Sequence, residues 1–311
     1  MSRPARIAVI GSANIDLTTF ADSFPEPGET IFGQKFDLGF GGKGANQAIA
    51  ARLCGAEVFM LARVGSDLFG PATIENFNKF GIDTSYVKQI EGLSSGVAPI
   101  FVEPGGQNRI LVVKGANDTL TPADVDAAAE TLKTADCIVL QFEIPLETVY
   151  YAIAFARTHG IRCILNPAPA QAVDMTALSG LDYFIPNESE AEAITGIAVQ
   201  SVADAKKCAE KLLAEGIGRI IITLGSQGSL FAGGGVSELV PAFPVRSIDT
   251  TGAGDAFIGS FAVLLAEGVE EREAVRRANL YASLSTTGVG TQKSFYDRAR
   301  FEAEWKSRSD H

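Results

Sequence analysis

The segment Asp249-Thr250-Thr251-Gly252-Ala253-Gly254-Asp255 runs straight into the apolar stretch Ala256-Phe257-Ile258-Gly259-Ser260-Phe261. It reads as a tight glycine turn opening a helix. Such an end presents unpaired backbone N–H groups and the positive pole of the helix dipole, so an anion can rest on it. Asp255 sets a carboxylate beside that anion. The placement is unfavourable unless the carboxylate has a task, and the fitting task is to take the proton of an alcohol that attacks a phosphate. A glycine turn with an acidic residue in the first helical turn is equally an ordinary helix start. The segment alone leaves both readings open.

Other constellations can hold what such a reaction needs. Gly39-Phe40-Gly41-Gly42-Lys43-Gly44-Ala45-Asn46-Gln47-Ala48 matches GxGxxG, but it follows an irregular segment, and no acidic residue closes a following strand to hold a ribose, as a dinucleotide site requires. Nor is it a Walker A loop, because Asp37 and Gly44 stand where Gly and Ser or Thr are needed. What remains is a glycine turn feeding a helix. There, backbone N–H groups, Lys43 and Asn46 can meet a small polar ligand; a plain helix entry has the same pattern.

Asn14 and Asp16 lie two apart in extended chain and point the same way. A carboxylate and an amide together suit neighbouring hydroxyls of a polyol, although the tripeptide also fits an Asx turn. Glu143 follows an apolar run and precedes Pro145. Asn187-Glu188-Ser189-Glu190 follows another. Asn187 and Glu190 can organise a hydrated Mg²⁺ beside phosphates, and they equally spell an N-cap with its capping box. Thr223-Leu224-Gly225-Ser226-Gln227-Gly228 can line a nucleotide or simply reverse the chain.

The positioning elements follow from the apolar pattern. Strands are expected over 6–10, 58–64, 137–140, 161–165, 183–185 and 219–223, and helices over 44–54, 68–80, 123–133, 146–158 and 202–215. Continuous apolar runs are the mark of parallel strands covered on both faces. The fold class is therefore α/β: a doubly wound, mainly parallel sheet flanked by helices, with ligands at the carboxyl ends of its strands. Residues 15–40 and 96–114 break the rhythm. The second reads as strands 97–102 and 109–113 joined by the turn-rich residues 104–108. Together the two segments form a small β-sheet acting as a lid or a dimer surface, or else two ordinary excursions. No linker divides the chain, so residues 1–311 are expected to form a single α/β domain with these segments inserted.

Composition limits the rest. A chain of 311 residues, 46% hydrophobic, suffices for one large core. The net charge of -11 and the lack of a basic cluster argue against nucleic acid and anionic membrane as partners. Cys54, Cys137, Cys163 and Cys208 are widely spaced, and Cys137 and Cys163 sit in apolar runs, as reduced core residues of a cytoplasmic protein do. The start, Met1 to Arg6, shows no apolar signal core, and no run is long enough to span a bilayer. His159 and His311 are the only histidines, so acid–base work falls to carboxylates or lysine.

In their joint order, Asn14-Ile15-Asp16, Gly41-Gly42-Lys43-Gly44-Ala45-Asn46, Asn187-Glu188-Ser189-Glu190 and Asp249 to Asp255 resemble the carbohydrate kinase family typified by ribokinase. Gln141-Phe142-Glu143-Ile144-Pro145 and Ser95-Gly96-Val97-Ala98 extend the resemblance over nearly the whole chain. It implies Asp255 as catalytic base and the N–H groups of Gly252, Ala253 and Gly254 as an anion hole. It implies Asn14, Asp16, Gly42, Lys43, Asn46 and Glu143 around a sugar. Asn187, Thr223, Gly225, Ser226, Gly228 and Asn279 would approach ATP, and Glu190 would help place Mg²⁺ through water. Asp249 and Thr251, with carbonyls near Ser285, Gly288 and Gly290 and with Ser294, would hold a monovalent cation, usually K⁺. Tyr281, Ser283 and Ser285 make the late helix more polar than the Ala-rich stretch common in ribokinases.

The expected reaction is transfer of phosphate from ATP to D-ribose, giving ribose 5-phosphate. Deoxyribose, another sugar or a nucleoside is the alternative acceptor. A nucleoside carries its base where Asp16 would meet free hydroxyls. A binding or regulatory protein that kept the fold and lost the reaction is the reading from another class. A homodimer through the exposed face of the lid sheet would cover apolar surface.

Overall fold

The structure, a computed structural model, describes residues 3–105 and 107–309. Met1, Ser2, His311 and Gly106 of the expected hairpin joint lie outside the described residues. In chain order the strands are β1 (Arg6–Ile10), β2 (Asn14–Phe20), β3 (Lys35–Gly41), β4 (Glu57–Gly65), β5 (Asp83–Ile90), β6 (Gly96–Val102) and β7 (Asn108–Ile110). They continue as β8 (Cys137–Leu140), β9 (Arg162–Leu165), β10 (Tyr183–Phe184), β11 (Arg219–Thr223), β12 (Ser229–Gly233) and β13 (Val236–Val240). The helices are α1 (Lys43–Leu53), α2 (Phe69–Phe80), α3 (Pro122–Ala127), α4 (Ala129–Leu132), α5 (Leu146–His159) and α6 (Met175–Leu178). The last five are α7 (Glu188–Thr195), α8 (Val202–Ala214), α9 (Ala253–Ala266), α10 (Glu271–Ser285) and α11 (Arg298–Ser309).

Nine strands form one sheet in the order β13-β12-β11-β10-β9-β8-β1-β4-β5. Every pairing from β11 to β5 is parallel, and β12 and β13 add an antiparallel hairpin at one edge. Alternate residues of one strand feed two cores. Ile7 and Val9 join α1, α9 and α10 on one face, whereas Ala8 and Ile10 join α5 and α8 on the other. This double coverage is why runs such as 7–10 and 137–140 are apolar on both faces. The chain leaves β1 toward β4 and later returns on its other side as β8. That reversal opens a crevice beyond the carboxyl ends of the strands, where open α/β sheets take ligands.

The two arrhythmic segments form a separate four-stranded sheet, β3-β2-β6-β7. Its register sorts the side chains, because paired residues share a face. Asn14 pairs with Gly41 and Gly96, and Asp16 with Gly39 and Ala98, so one face carries the two polar residues among glycine and alanine. The other face carries Leu17, Leu38, Pro99, Phe36 and Phe101.

Several elements depart from expectation. The helix expected over 123–133 is broken at Ala128 into α3 and α4; Ala128 sits at φ -96°, ψ 1° and its N–H donates to the carbonyls of both Asp124 and Val125. The strand expected over 109–113 is shorter, with only an isolated bridge from Val113 to Val97 beyond it. β5 and β13 carry no continuous apolar run because they are edge strands, half exposed, and the criterion that finds buried strands passes over them. All four cysteines are free and buried. Among the described residues, no helix is long and apolar enough to cross a membrane.

Candidate active site

The turn before α9 is built as its glycines require. Gly252 is the N-cap at φ 78°, a left-handed conformation that glycine adopts without strain. Ala253 donates its N–H to the Thr250 carbonyl at 3.2 Å, so this N–H already has a partner within the turn. Asp255 lies in the first helical turn and is buried. α9 packs on α1 almost backbone to backbone. A Cβ on Gly259 would stand 2.6 Å from both the Ala50 Cβ and the Gln47 carbonyl. That closeness brings two consecutive α1 side chains onto Asp255: the Asn46 Nδ2 donates to Oδ2 and the Gln47 Nε2 donates to Oδ1, each at 2.9 Å.

Burial pushes the Asp255 carboxyl above its ordinary range, against the pull of Lys43 and the two amide donors, and Glu143 adds to the rise. The result is a stronger base than a surface aspartate, held by hydrogen bonds that favour its charged form. Burial works against the charge of Lys43, yet Asp255, Glu143 and Glu190 outweigh it and hold its pKa above the usual value. Lys43 is therefore a cation among three carboxylates.

A second cluster gathers where β1 and β8 end. Oε2 of Glu143 accepts hydrogen bonds from Ser12 Oγ (2.5 Å), the Lys43 backbone N–H (3.0 Å) and Asn14 Nδ2 (3.4 Å). The Gly44 and Ala45 N–H groups donate to Ser12. The first N–H groups of α1 are thus committed to the protein, and the glycine turn offers a ligand less backbone than its sequence suggests. Gly42, at φ 89°, lets the chain pass close to Asn14, where a Cβ would meet the Asn14 nitrogen at 2.7 Å. The Asn14 Oδ1 accepts from Asn117 Nδ2 at 2.8 Å, while the Asn117 Oδ1 holds the Ala13 N–H at 2.9 Å. Asp16 faces the same space from the small sheet. Burial, then the nearby charges of Glu143 and Asp255, push its carboxyl up to about 7.

Beside this pocket lies a cavity of about 620 Å³ lined by Asn187, Thr223, Gly225, Ser226, Gly228 and Asn279, with an apolar wall from Phe243, Val245, Phe257 and Ala282. It shares Asn187, Thr223, Thr250, Ala253 and Gly254 with a smaller one of about 160 Å³ that reaches Lys43, Glu190 and Asp255. The two form one path ending at the α9 turn. Asn187 and Glu190 build the capping box of α7: the Glu190 N–H donates to Asn187 Oδ1 at 2.8 Å, and Glu190 Oε2 accepts the Asn187 N–H at 2.9 Å. Both also border the smaller cavity, so the cap forms part of its wall. The Asn279 side chain is spent on structure, bonding Ser229 Oγ and the Val240 carbonyl.

Asp249 accepts the Thr251 N–H at 2.9 Å and the Gly290 N–H at 3.0 Å, tying the α9 turn to the loop after α10. Burial raises its carboxyl, but the Thr251 hydroxyl and these two N–H groups outweigh it and hold it below the ordinary range. The Ser285 and Ser294 hydroxyls donate to the local carbonyls of Ala282 and Thr291, and Gly288 packs on Ser294. The side chains here offer one carboxylate and two hydroxyls, oxygen donors of the hard type that suits hard rather than soft cations. Among the described residues, no group of three or more His, Cys, Asp or Glu side chains is arranged to hold a metal.

The structure thus brings Asn14, Asp16, Lys43, Asn46, Glu143, Glu190 and Asp255 to one crevice, with the 620 Å³ cavity on one side and the 249–251 and 288–294 loops behind. Sequence reasoning missed Ser12, Gln47, Asn117, Asn166 and Gln292. Each is a buried polar residue inside an apolar or turn-like stretch. Burial of a polar side chain signals an obligatory partner, but burial itself is not written in local sequence.

A family model described as pfkB family carbohydrate kinase matches residues 4–298. The chain is 47% identical over 290 residues to a deoxyribokinase of Salmonella typhi, covering 93% of this chain and 95% of that protein. It is 41% identical over 296 residues to a ribokinase of Bacillus subtilis, covering 95% and 98%. Its backbone matches a structure of Arabidopsis thaliana ribokinase complexed with ribose and ATP with a TM-score of 0.91, at 28% identity and covering 97% and 98% of the two chains.

Proposed function

The chain belongs to the pfkB family of carbohydrate kinases, and on that premise we propose that it transfers the γ-phosphoryl group of ATP to the primary hydroxyl of D-ribose. The observation that carries this reading is the buried Asp255 at the start of α9, where the nucleotide-type cavity meets the pocket of Asn14, Asp16 and Glu143. The Asp255 carboxylate accepts the proton of the attacking hydroxyl. Its raised pKa suits that task, and the Asn46 and Gln47 amides fix its plane. The turn 252–254 faces the charge that grows on the transferred group. Lys43 balances the carboxylates that surround it.

The 620 Å³ cavity takes the nucleotide, its apolar wall against the base and its polar end toward Gly254. Glu190 would help hold Mg²⁺ through water, and the ion would neutralise phosphate charge when bound. Asp249, Thr251 and the oxygens near Ser285, Gly288, Gly290 and Ser294 would hold K⁺, which would brace the α9 turn that Asp249 already ties to Gly290. The small sheet acts as the lid, carrying Asn14 and Asp16 on its inner face and excluding water when sugar binds. Its outer face, with Phe36 at 59% and Leu38 at 42% exposure, pairs with a second copy of the chain.

The 47% identity to a deoxyribokinase makes 2-deoxyribose the second acceptor to weigh. A coupled ADP-release assay over ribose, 2-deoxyribose, other sugars and nucleosides, with and without K⁺, tests the reading. D-ribose should give the highest kcat/KM; 2-deoxyribose ahead of it would move the assignment to the second acceptor, and a nucleoside preferred over every free sugar would overturn the sugar-kinase reading.

A further inference from the structure

Asp255 stands at the end of a chain of buried amides that reaches outside the site. Asn76, inside α2, donates Nδ2 to Gln292 Oε1 at 3.0 Å. Gln292, in the turn Gln292–Ser294, donates Nε2 to Asn46 Oδ1 at 2.9 Å. Asn46 donates Nδ2 to Asp255 Oδ2 at 2.9 Å. A parallel limb runs from Gln141 Nε2 to Gln47 Oε1 at 2.6 Å and from Gln47 Nε2 to Asp255 Oδ1 at 2.9 Å. It starts from an acceptor, Gln141 Oε1, that is buried without a partner.

The polarity of each limb is forced by its end. An ionised carboxylate only accepts, so Asn46 must turn its NH₂ to Asp255 and its carbonyl to Gln292. Gln292 must then donate to Asn46 and accept from Asn76. Every amide is buried, so an amide that loses its partner is left a poorly solvated polar group, at a cost. Reversing one member reverses those downstream, and an oxygen would then face the Asp255 carboxylate. We propose that Asn76 and Gln292, neither of which touches Asp255, are positioning residues that fix the orientation of Asn46 and through it the hydrogen bonding of Asp255. The inference rests on the reading of Asp255 as the base. The charged groups facing Asp255 are Lys43 at the start of α1, Asp16 on β2, Glu143 after β8 and Glu190 on α7, and the variants below leave all four in place.

Asn76→Asp tests the relay from its far end. An ionised aspartate there can only accept, so above its pKa Gln292 turns its NH₂ toward it and Asn46 follows, presenting its carbonyl to Asp255. Gln292→Met cuts the limb without adding charge and serves if the first variant does not fold. The readout is the ¹³C titration of the Asp255 carboxyl, assigned by its absence in Asp255→Asn, beside the pH profile of kcat/KM. In Asn76→Asp the midpoint should rise by about one pH unit and the acidic limb of the profile should follow. Gln292→Met should shift both by less, in the same direction. A folded variant that loses thermal stability yet keeps the wild-type midpoint and profile overturns the relay. Full turnover by Asp255→Asn instead overturns the role of the base and leaves the carboxyl titration to judge the relay alone.

Discussion

The carboxylate of Asp16 lies directly over the α-carbon of Gly41: a Cβ built on that glycine would stand 2.3 Å from both carboxylate oxygens. The pair joins β2 to β3 on the inner face of the small sheet, one step off the Asp16–Gly39 register. Gly41→Ala is therefore expected to push Asp16 out of position while leaving Asp255 and the α9 turn alone. KM for the sugar should rise about tenfold or more, with kcat within about threefold, as loss of uniform binding requires. Steady-state kinetics with the sugar varied at saturating ATP measures the split.

Asp16 also sets a pH dependence. With its carboxyl pushed up to about 7 in the free protein, sugar hydroxyls that donate to the ionised form bind better as pH rises through 7, and binding releases a proton. At pH 7 the released proton should amount to about half an equivalent. Calorimetry in buffers of different ionisation enthalpy reads it, and Asp16→Asn should abolish it. Stability runs the other way. Between the unfolded value near 3.8 and the folded value near 7 the native state holds more protons, so the stability that this group contributes is complete at low pH and is lost as pH rises to 7. Asp16→Asn should accordingly melt above the parent at pH 8, with the gap closing below about pH 4.

Gly252 faces a double constraint. Its φ of 78° disfavours any side chain, and a Cβ would stand 2.2 Å from the Thr291 methyl. Gly252→Ala is expected to displace the turn and lower kcat about 10²- to 10³-fold, the range for loss of an oxyanion donor, with sugar affinity nearly unchanged. Turnover combined with sugar calorimetry separates this outcome from general unfolding.

Asp249 ties that same turn to the loop at Gly290. Asp249→Ala should remove stimulation by K⁺, leaving a low activity that is the same in Na⁺ and K⁺ buffers. Persistent K⁺ activation would place the cation elsewhere.

Much of this architecture was legible because its signals are local. Uninterrupted apolar strands such as residues 137–140 announce a sheet covered on both faces, and the glycines before Asp255 announce a helix start with an acid in its first turn. The small sheet was legible only as a break in rhythm. Its pairing of β2 with β6 is parallel and joins residues 82 positions apart at Asn14 and Gly96, which no local pattern encodes. β5 and β13 escaped because edge strands mix polar and apolar residues. The supporting amides escaped for a deeper reason. Asn117, Gln292 and Asn76 are ordinary polar residues until folding removes water from around them, and only then do their hydrogen bonds become obligatory.

In the proposed reaction, Asp255 accepts the proton of the attacking hydroxyl. Asp255→Asn keeps the shape, and its side chain can still meet Asn46 and Gln47, but it cannot take the proton at neutral pH. Single-turnover phosphoryl transfer with saturating ATP and pentose measures the step itself. A fall of about three orders of magnitude or more, with the sugar Kd changed by less than about threefold, is the expected result. Transfer at the parental rate, or intact turnover with sugar binding lost, would contradict it.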